Sequence, residues 1–141
     1  DRASLLFEDI SAVQVPMSVL DQRLVKDPPS VLTRVDVHVQ ARSVFLQGLL
    51  LDPHAFAALA KHPDVLAFHA RCARENSAPL AACMSFVASI PWVDEVVIGV
   101  TSSDELEAIC DAHEDEPLQN RSWEQWASSD VELVDPRNWK R

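Results

Sequence analysis

The alternation of strand-like and helical segments is the feature that most constrains how this chain folds. Residues 35–43 alternate apolar and polar side chains with a period of two, which is typical of a half-buried strand. The apolar face holds Val35, Val37, Val39 and Ala41, and the polar face holds Asp36, His38, Gln40 and Arg42. Residues 95–100 form a short β-branched run, which predicts a strand buried on both faces. Residues 12–15 are a weaker strand candidate, stopped by Pro16.

Helical segments lie between and after these strands. Residues 30–34 are predicted as a short helical turn, and residues 63–75 as a helix with Pro63 in its first turn. Residues 79–90 are more apolar and are expected to be largely buried. Ser102 and Glu105 have the spacing of a capping box, which predicts a helix over residues 103–112. The expected apolar positions of the two middle helices are Val65, Leu66, Phe68, Cys72, Leu80, Cys83, Met84, Phe86 and Val87.

This order predicts an α/β protein with about three parallel strands and flanking helices. Three strands alone leave two long sheet edges unpaired. A closed (β/α)8 barrel needs eight strands and about 250 residues, whereas this chain has 141. We therefore expect the chain to be part of a larger sheet, or a half that meets another half.

Composition excludes several classes of function. Asp and Glu outnumber Lys and Arg by 22 to 12, so a nucleic acid or an anionic membrane is not an expected partner. Only two glycines are present, so the sequence contains no glycine-rich phosphate-binding motif. The three cysteines form no C-x-x-C pair and are expected to be small core residues of a cytoplasmic protein. No metal site is predicted, because no H-x-x-x-H spacing occurs among His38, His54, His62, His69 and His113.

The C-terminal part of the chain differs from the rest. We expect residues 1–113 to form the main domain and residues 114–141 to form an acidic extension packed on it. Three of the four tryptophans, Trp123, Trp126 and Trp139, lie in this extension. Rings of this size are seldom left in water, so the extension is not predicted to be free coil.

Three segments, taken together, resemble the aldo/keto reductase family. They are residues 13–23 (VQVPMSVLDQR), 41–51 (ARSVFLQGLLL) and 97–106 (VIGVTSSDEL), and residues 134–139 (VDPRNW) resemble the tail of one bacterial branch. The resemblance implies the C-terminal portion of a (β/α)8 TIM barrel. It also implies a carbonyl oxidoreductase in which NADH or NADPH donates a hydride and a tyrosine from the first half of the barrel donates the proton. This chain contains no tyrosine, so no catalytic residue is assigned to it, and we expect it to be inactive alone.

By position, the resemblance implies which residues hold the cofactor. Gln14 would contact the nicotinamide carboxamide, and Arg42 would replace the aromatic ring that stacks on the nicotinamide. A loop containing Ser43, Phe45 and Gln47 would wrap the pyrophosphate. The turn Gly99, Val100, Thr101 and Ser102 would hold a phosphate at a helix start, and Glu105 would contact the adenosine. The same residues also permit interpretations that need no cofactor. Gln14 would satisfy buried groups at the end of a strand, and the loop would be a plain turn with Phe45 in the core. The Ser102–Glu105 spacing would mark an ordinary capped helix.

The cofactor is predicted to be NAD rather than NADP, since a carboxylate at Glu105 would repel a 2′-phosphate. The expected partners are the N-terminal half of the barrel or another half-barrel, together with a small carbonyl substrate. One alternative is a non-catalytic half-barrel that dimerises or binds a partner through its sheet edges. Another is an acidic α/β interaction domain that shares only the fold.

Overall fold

Three parallel strands form the centre of the molecule. The computed structural model describes residues 10–114 and 122–139. Strands β1 (Ala12–Pro16), β2 (His38–Arg42) and β3 (Glu95–Val97) form a sheet in the order β1-β2-β3. The register places Gln14 beside Gln40, and Gln40 beside Glu95. The prediction of an α/β fold with a three-stranded parallel sheet is therefore confirmed.

Five α-helices accompany the sheet in the described part of the chain. They are α1 (Arg23–Lys26), α2 (Pro63–Arg74), α3 (Pro79–Ala88), α4 (Ser103–Glu114) and α5 (Val131–Val134). Single 3₁₀ turns cover Ser30–Thr33, Leu46–Gly48, Pro53–Phe56, Trp123–Trp126 and Pro136–Asn138. Pro63 and Pro79 begin their helices, where the missing N–H of proline has no helical partner to lose. None of the described helices has the length and apolar character needed to cross a membrane.

The core lies on one face of the sheet. Val15, Val37, Val39 and Ala41 are buried there with apolar side chains of α2 and α3. The buried apolar residues of these two helices are Val65, Phe68 and Cys72 in α2, and Ala82, Cys83, Met84, Phe86 and Val87 in α3. The alternating pattern of residues 35–43 thus predicted the face of β2 that packs inward, with the exception of Val35.

No element of the described residues covers the other face of the sheet, and this corrects the prediction for β3. Val97 is 42% exposed and Val100 is also exposed, so the prediction that this strand is buried on both faces was wrong. The strand ends at Val97, and Ile98 follows it half-buried. β3 is an edge strand with helices on one side only, so its β-branched run has a single face to bury.

Four further predictions were wrong at single residues. Val35 lies outside β2 and is fully exposed, because Arg34 and Asp36 form an ion pair across it in the turn before the strand. Leu66 is exposed on α2, and Cys110 is exposed on α4, unlike the buried Cys72 and Cys83. Pro16 does not stop β1 but is its last residue, which a sheet edge tolerates because the missing N–H breaks no essential ladder bond.

The C-terminal residues 122–139 lie against this same core. Trp126 is 6% exposed and meets Phe68 edge-on, with ring centroids 5.8 Å apart. Trp123 meets Phe86 at 5.8 Å, and its carbonyl accepts a hydrogen bond of 2.7 Å from the Gln22 side chain. Residues 115–121, most of the acidic segment that opens the predicted extension, lie outside the described residues.

Candidate functional site

A cleft opens at the carboxyl ends of β2 and β3. Its volume is about 780 Å³, and four segments line it. They are the loop after β2 (residues 43–51), the start of α3, the end of β3, and the first turns of α4. In parallel α/β folds, ligands bind at this end of the strands, where the connecting loops can vary without disturbing the sheet. We call this space the carboxyl-end cleft.

The loop after β2 has an unusual backbone. Ser43, Leu46 and Gln47 have φ angles of 60°, 48° and 58°, and Gly48 has a φ of 90°. Residues with side chains seldom adopt this left-handed region, which costs free energy that the surrounding structure must supply. Buried Leu46, Leu49 and Leu50 anchor the loop to the core. The loop is therefore held in one shape, with Phe45 and Gln47 on the wall of the cleft.

The turn into α4 forms the opposite wall. The Ser102 hydroxyl accepts a hydrogen bond of 3.2 Å from the Glu105 N–H, as the capping-box spacing predicted. The Glu105 carboxylate in turn accepts a bond of 2.6 Å from the Thr101 N–H and bonds of 3.0 and 3.1 Å from the Thr101 hydroxyl. These hydrogen bonds from Thr101 hold the pKa of Glu105 below its usual value. Glu105 therefore stays ionised at neutral pH.

Gly99 leaves open space in this wall. A methyl group built on its Cα would meet no atom within 4 Å. The glycine therefore lets a ligand approach the backbone after β3 closely.

A smaller pocket adjoins the cleft at the carboxyl ends of β1 and β2. Its volume is about 250 Å³, and it shares Ser43 and Gln47 with the carboxyl-end cleft. Three arginines and two aspartates line it: Arg23, Arg42, Arg137, Asp21 and Asp135. We call it the arginine pocket. Its charge is net positive in a chain whose overall charge is -10.

A polar row crosses the uncovered face of the sheet. The Gln14 amide donates to Gln40 at 3.4 Å, and the Gln40 amide donates to Glu95 at 2.8 Å. His38 Nε2 lies 3.1 Å from the same Glu95 oxygen. Hydrogen bonds from His38 and Gln40 hold the pKa of Glu95 below its usual value. Gln14 thus has its contact in this row and is not on the wall of the cleft.

The structure brings together six of the ten residues predicted to hold a cofactor. Those that line the carboxyl-end cleft are Ser43, Phe45, Gln47, Gly99, Thr101 and Glu105. Arg42 lies in the arginine pocket, and Ser102 caps α4. Gln14 and Val100 lie outside both spaces.

Sequence reasoning missed the other charged residues of the arginine pocket. The signal that identifies them is a repeated Asp-x-Arg, at residues 21–23 and again at residues 135–137. In both copies the carboxylate and the guanidinium pair within the repeat. Leu51, Leu80 and Ile109 of the cleft were also missed, since an apolar side chain beside a ligand has the same pattern as one in a core.

Comparison of the chain with models of protein families, with curated proteins and with solved structures found no match.

Proposed function

We propose that the carboxyl-end cleft binds a nicotinamide dinucleotide, and that the chain is the cofactor-binding part of a carbonyl oxidoreductase with a (β/α)8 barrel. The observation that carries this proposal is the convergence of Ser43, Phe45, Gln47, Gly99, Thr101 and Glu105 on one cleft. These residues come from two segments about fifty positions apart, which the resemblance to aldo/keto reductases had marked separately. Strand order supports the barrel, since strands adjacent in the chain are adjacent in the sheet.

The dimensions and chemistry of the cleft fit most of such a cofactor. A volume of about 780 Å³ lies within the usual range of small-molecule sites, roughly 300–1,000 Å³. Phe45, Leu51 and Leu80 offer apolar contact for a base and a ribose. Gly99 leaves the backbone open to close approach.

Charge decides where the pyrophosphate can lie. Among the described residues that line the cleft, Glu105 alone is charged, and its carboxylate already takes the Thr101 N–H. The nearest positive charge is Arg42, next to Ser43 at the boundary between the cleft and the arginine pocket. We therefore propose that the adenosine lies toward α4 and the pyrophosphate lies toward Ser43 and Gln47.

In this proposal the residues of the chain bind and orient the cofactor, and they carry no proton to the substrate. When bound, the reduced nicotinamide supplies the hydride for the carbonyl carbon. The strained loop holds Phe45 and Gln47 before any ligand arrives, which reduces the entropy lost on binding. The proton donor and the rest of the substrate pocket are supplied from outside this chain.

Glu105 is expected to make the site prefer NADH over NADPH. Its carboxylate is ionised and fixed by Thr101, so a 2′-phosphate placed nearby would be repelled. Like charges at contact distance repel each other even in water, and a phosphate carries nearly two negative charges. Glu105→Gln keeps the shape and the acceptor for Thr101, and should improve NADPH affinity about tenfold with little change for NADH. Calorimetric titration of the full chain with each cofactor measures this ratio.

Glu107→Gln is the matched control for Glu105→Gln. It removes the same charge from an equally exposed position on the same helix, but Glu107 does not line the cleft. The NADH-to-NADPH ratio should be unchanged by it. Equal affinities for the two cofactors in the wild type, unaltered by Glu105→Gln, would contradict the proposed role of this carboxylate.

The uncovered sheet face favours a second function, association with another layer. Parallel sheets in globular proteins are covered on both faces, because their strands are largely apolar. Here Gln14, Gln40, Glu95 and Val97 face outward on one side. We propose that this face packs against the rest of a barrel. A non-catalytic half-barrel would associate through its sheet edges, and the absence of dinucleotide binding would favour that alternative.

A further inference from the structure

The arginine pocket is built from three separate segments of the chain. Asp21 and Arg23 follow β1, Arg42 ends β2, and Asp135 and Arg137 belong to the C-terminal residues that lie against the core. The pocket therefore exists only in the folded chain with its C-terminal residues in place. The pocket lies at the carboxyl ends of two strands, which is where ligands bind in parallel sheets.

Two of the three arginines are held in fixed positions. Arg23 donates two hydrogen bonds to Asp21, of 2.7 Å from Nε and 2.9 Å from Nη2. Arg137 donates to Asp135 in the same way, at 2.8 and 2.5 Å. Both aspartates are buried, and the hydrogen bonds from Arg137 lower the pKa of Asp135 to about 2. The Asp135–Arg137 pair therefore stays ionised at neutral pH, and both Arg23 and Arg137 line the pocket.

Arg42 differs from these two because its charge is not balanced. Its Nη1 donates to the Ser43 hydroxyl at 3.2 Å. Among the described residues it makes no ion pair with a carboxylate. Within the pocket, three guanidinium groups thus face two carboxylates, and both carboxylates are already engaged by the other arginines.

We infer that the arginine pocket binds a small oxyanion, with Arg42 as its main partner. The planar guanidinium matches a carboxylate or a phosphate, since two parallel N–H groups meet two oxygens. About 250 Å³ accommodates such a group but not a whole dinucleotide. The bound oxyanion is either the carboxylate of a small organic acid or a phosphate group of a nucleotide. A carboxylate ligand goes beyond the proposed function, whereas a nucleotide phosphate in this pocket rests on it, because the proposed pyrophosphate lies toward Ser43 and Gln47.

The test uses the full isotope-labelled chain and three probes: acetate, inorganic phosphate and ADP. Ionic strength is held constant with chloride while backbone amide signals are followed. We expect saturable shifts at Arg42, Ser43 and Arg137. Arg42→Gln should weaken the binding about tenfold or more, as for the loss of a charged hydrogen-bonding partner. Arg42→Lys, which keeps the charge but loses the planar fork, should weaken it less.

Arg74→Gln is the matched control for Arg42→Gln. Arg74 is an exposed arginine at the end of α2, outside the pocket, and its replacement should leave the shifts unchanged. Saturation by acetate as readily as by phosphate identifies a carboxylate ligand. Binding of phosphate and ADP without acetate identifies a phosphate ligand. Shifts no larger than those caused by chloride, or equal affinities of wild type and Arg42→Gln, would overturn the inference.

The same titration separates this inference from the proposed function. Ala108 lines the carboxyl-end cleft and not the arginine pocket. A bulky residue at Ala108 should block the dinucleotide and leave the small-anion shifts intact. If the dinucleotide does not bind and the anion does, the proposed function fails alone. If NADH binds and neither acetate nor phosphate does, the oxyanion inference fails alone.

Discussion

Replacing Ala108 with tryptophan is expected to lower the affinity of the chain for NADH about tenfold or more. Ala108 is exposed on the face of α4 that forms one wall of the carboxyl-end cleft, beside Glu105 and Ile109. An indole at this position projects into the space that we assign to the adenosine. A ligand that loses one well-packed group typically loses about 1–3 kcal/mol, and 1.4 kcal/mol is a tenfold change in Kd. Calorimetric titration of the full chain with NADH measures it.

The control for this substitution is Ala73→Trp. Ala73 is likewise exposed, on α2, and it does not line the cleft. Because neither alanine is buried, both variants should fold, and a change in Kd reports on the cleft alone. Equal NADH affinities in the two variants would contradict the assignment of the cleft to the cofactor.

Trp126→Ala is expected to cost about 3–5 kcal/mol of the free energy of unfolding, the usual range for a buried aromatic residue. The ring is 6% exposed and packs against Phe68 and Trp123 at 5.8 and 5.4 Å. The Arg71 guanidinium lies 5.1 Å from its centre, in a cation–π contact. Urea denaturation followed by circular dichroism gives the loss directly.

Val131→Ala, a few residues further along, serves as the control for Trp126→Ala. Val131 is exposed, so its replacement should change the free energy of unfolding by about 0.5 kcal/mol or less. A loss below about 1 kcal/mol in Trp126→Ala would mean that the C-terminal residues do not stabilise the main core.

Local sequence signals predicted the elements of this fold well, because their causes are local. The period-two pattern of residues 35–43 follows from one buried face, and Val37, Val39 and Ala41 are buried on it, whereas Val35 is not. Proline at a helix start and the Ser102–Glu105 spacing act within one turn.

Properties set by the rest of the fold were not predictable in this way. The exposure of Val97 depends on what covers the sheet, and β-branched residues look the same whether or not a second layer is present. The exposure of Val35 depends on an ion pair between its two neighbours. Cys110 was expected in the core because a free cysteine packs like a small apolar residue, yet it is exposed on α4.

The candidate site was predictable in part, where its residues belong to segments with local sequence signals. The loop after β2 and the turn after β3 were each marked by sequence, and parallel strands bring their carboxyl ends to one edge. The arginine pocket was not found, because Arg42 and Arg137 meet only through packing of the C-terminal residues. The repeated Asp-x-Arg marks two ion pairs in the sequence, but it does not indicate that Arg42 lies in the same pocket.

The most direct test of the central claim is titration of the isotope-labelled full chain with NADH, read at each backbone amide. If the cleft binds the dinucleotide, saturable shifts should appear in the loop after β2, at Ser43, Phe45 and Gln47. They should appear equally in the turn into α4, at Gly99 and Thr101. No saturable binding, or shifts confined to Gln14, Gln40 and Glu95 on the uncovered sheet face, would contradict it.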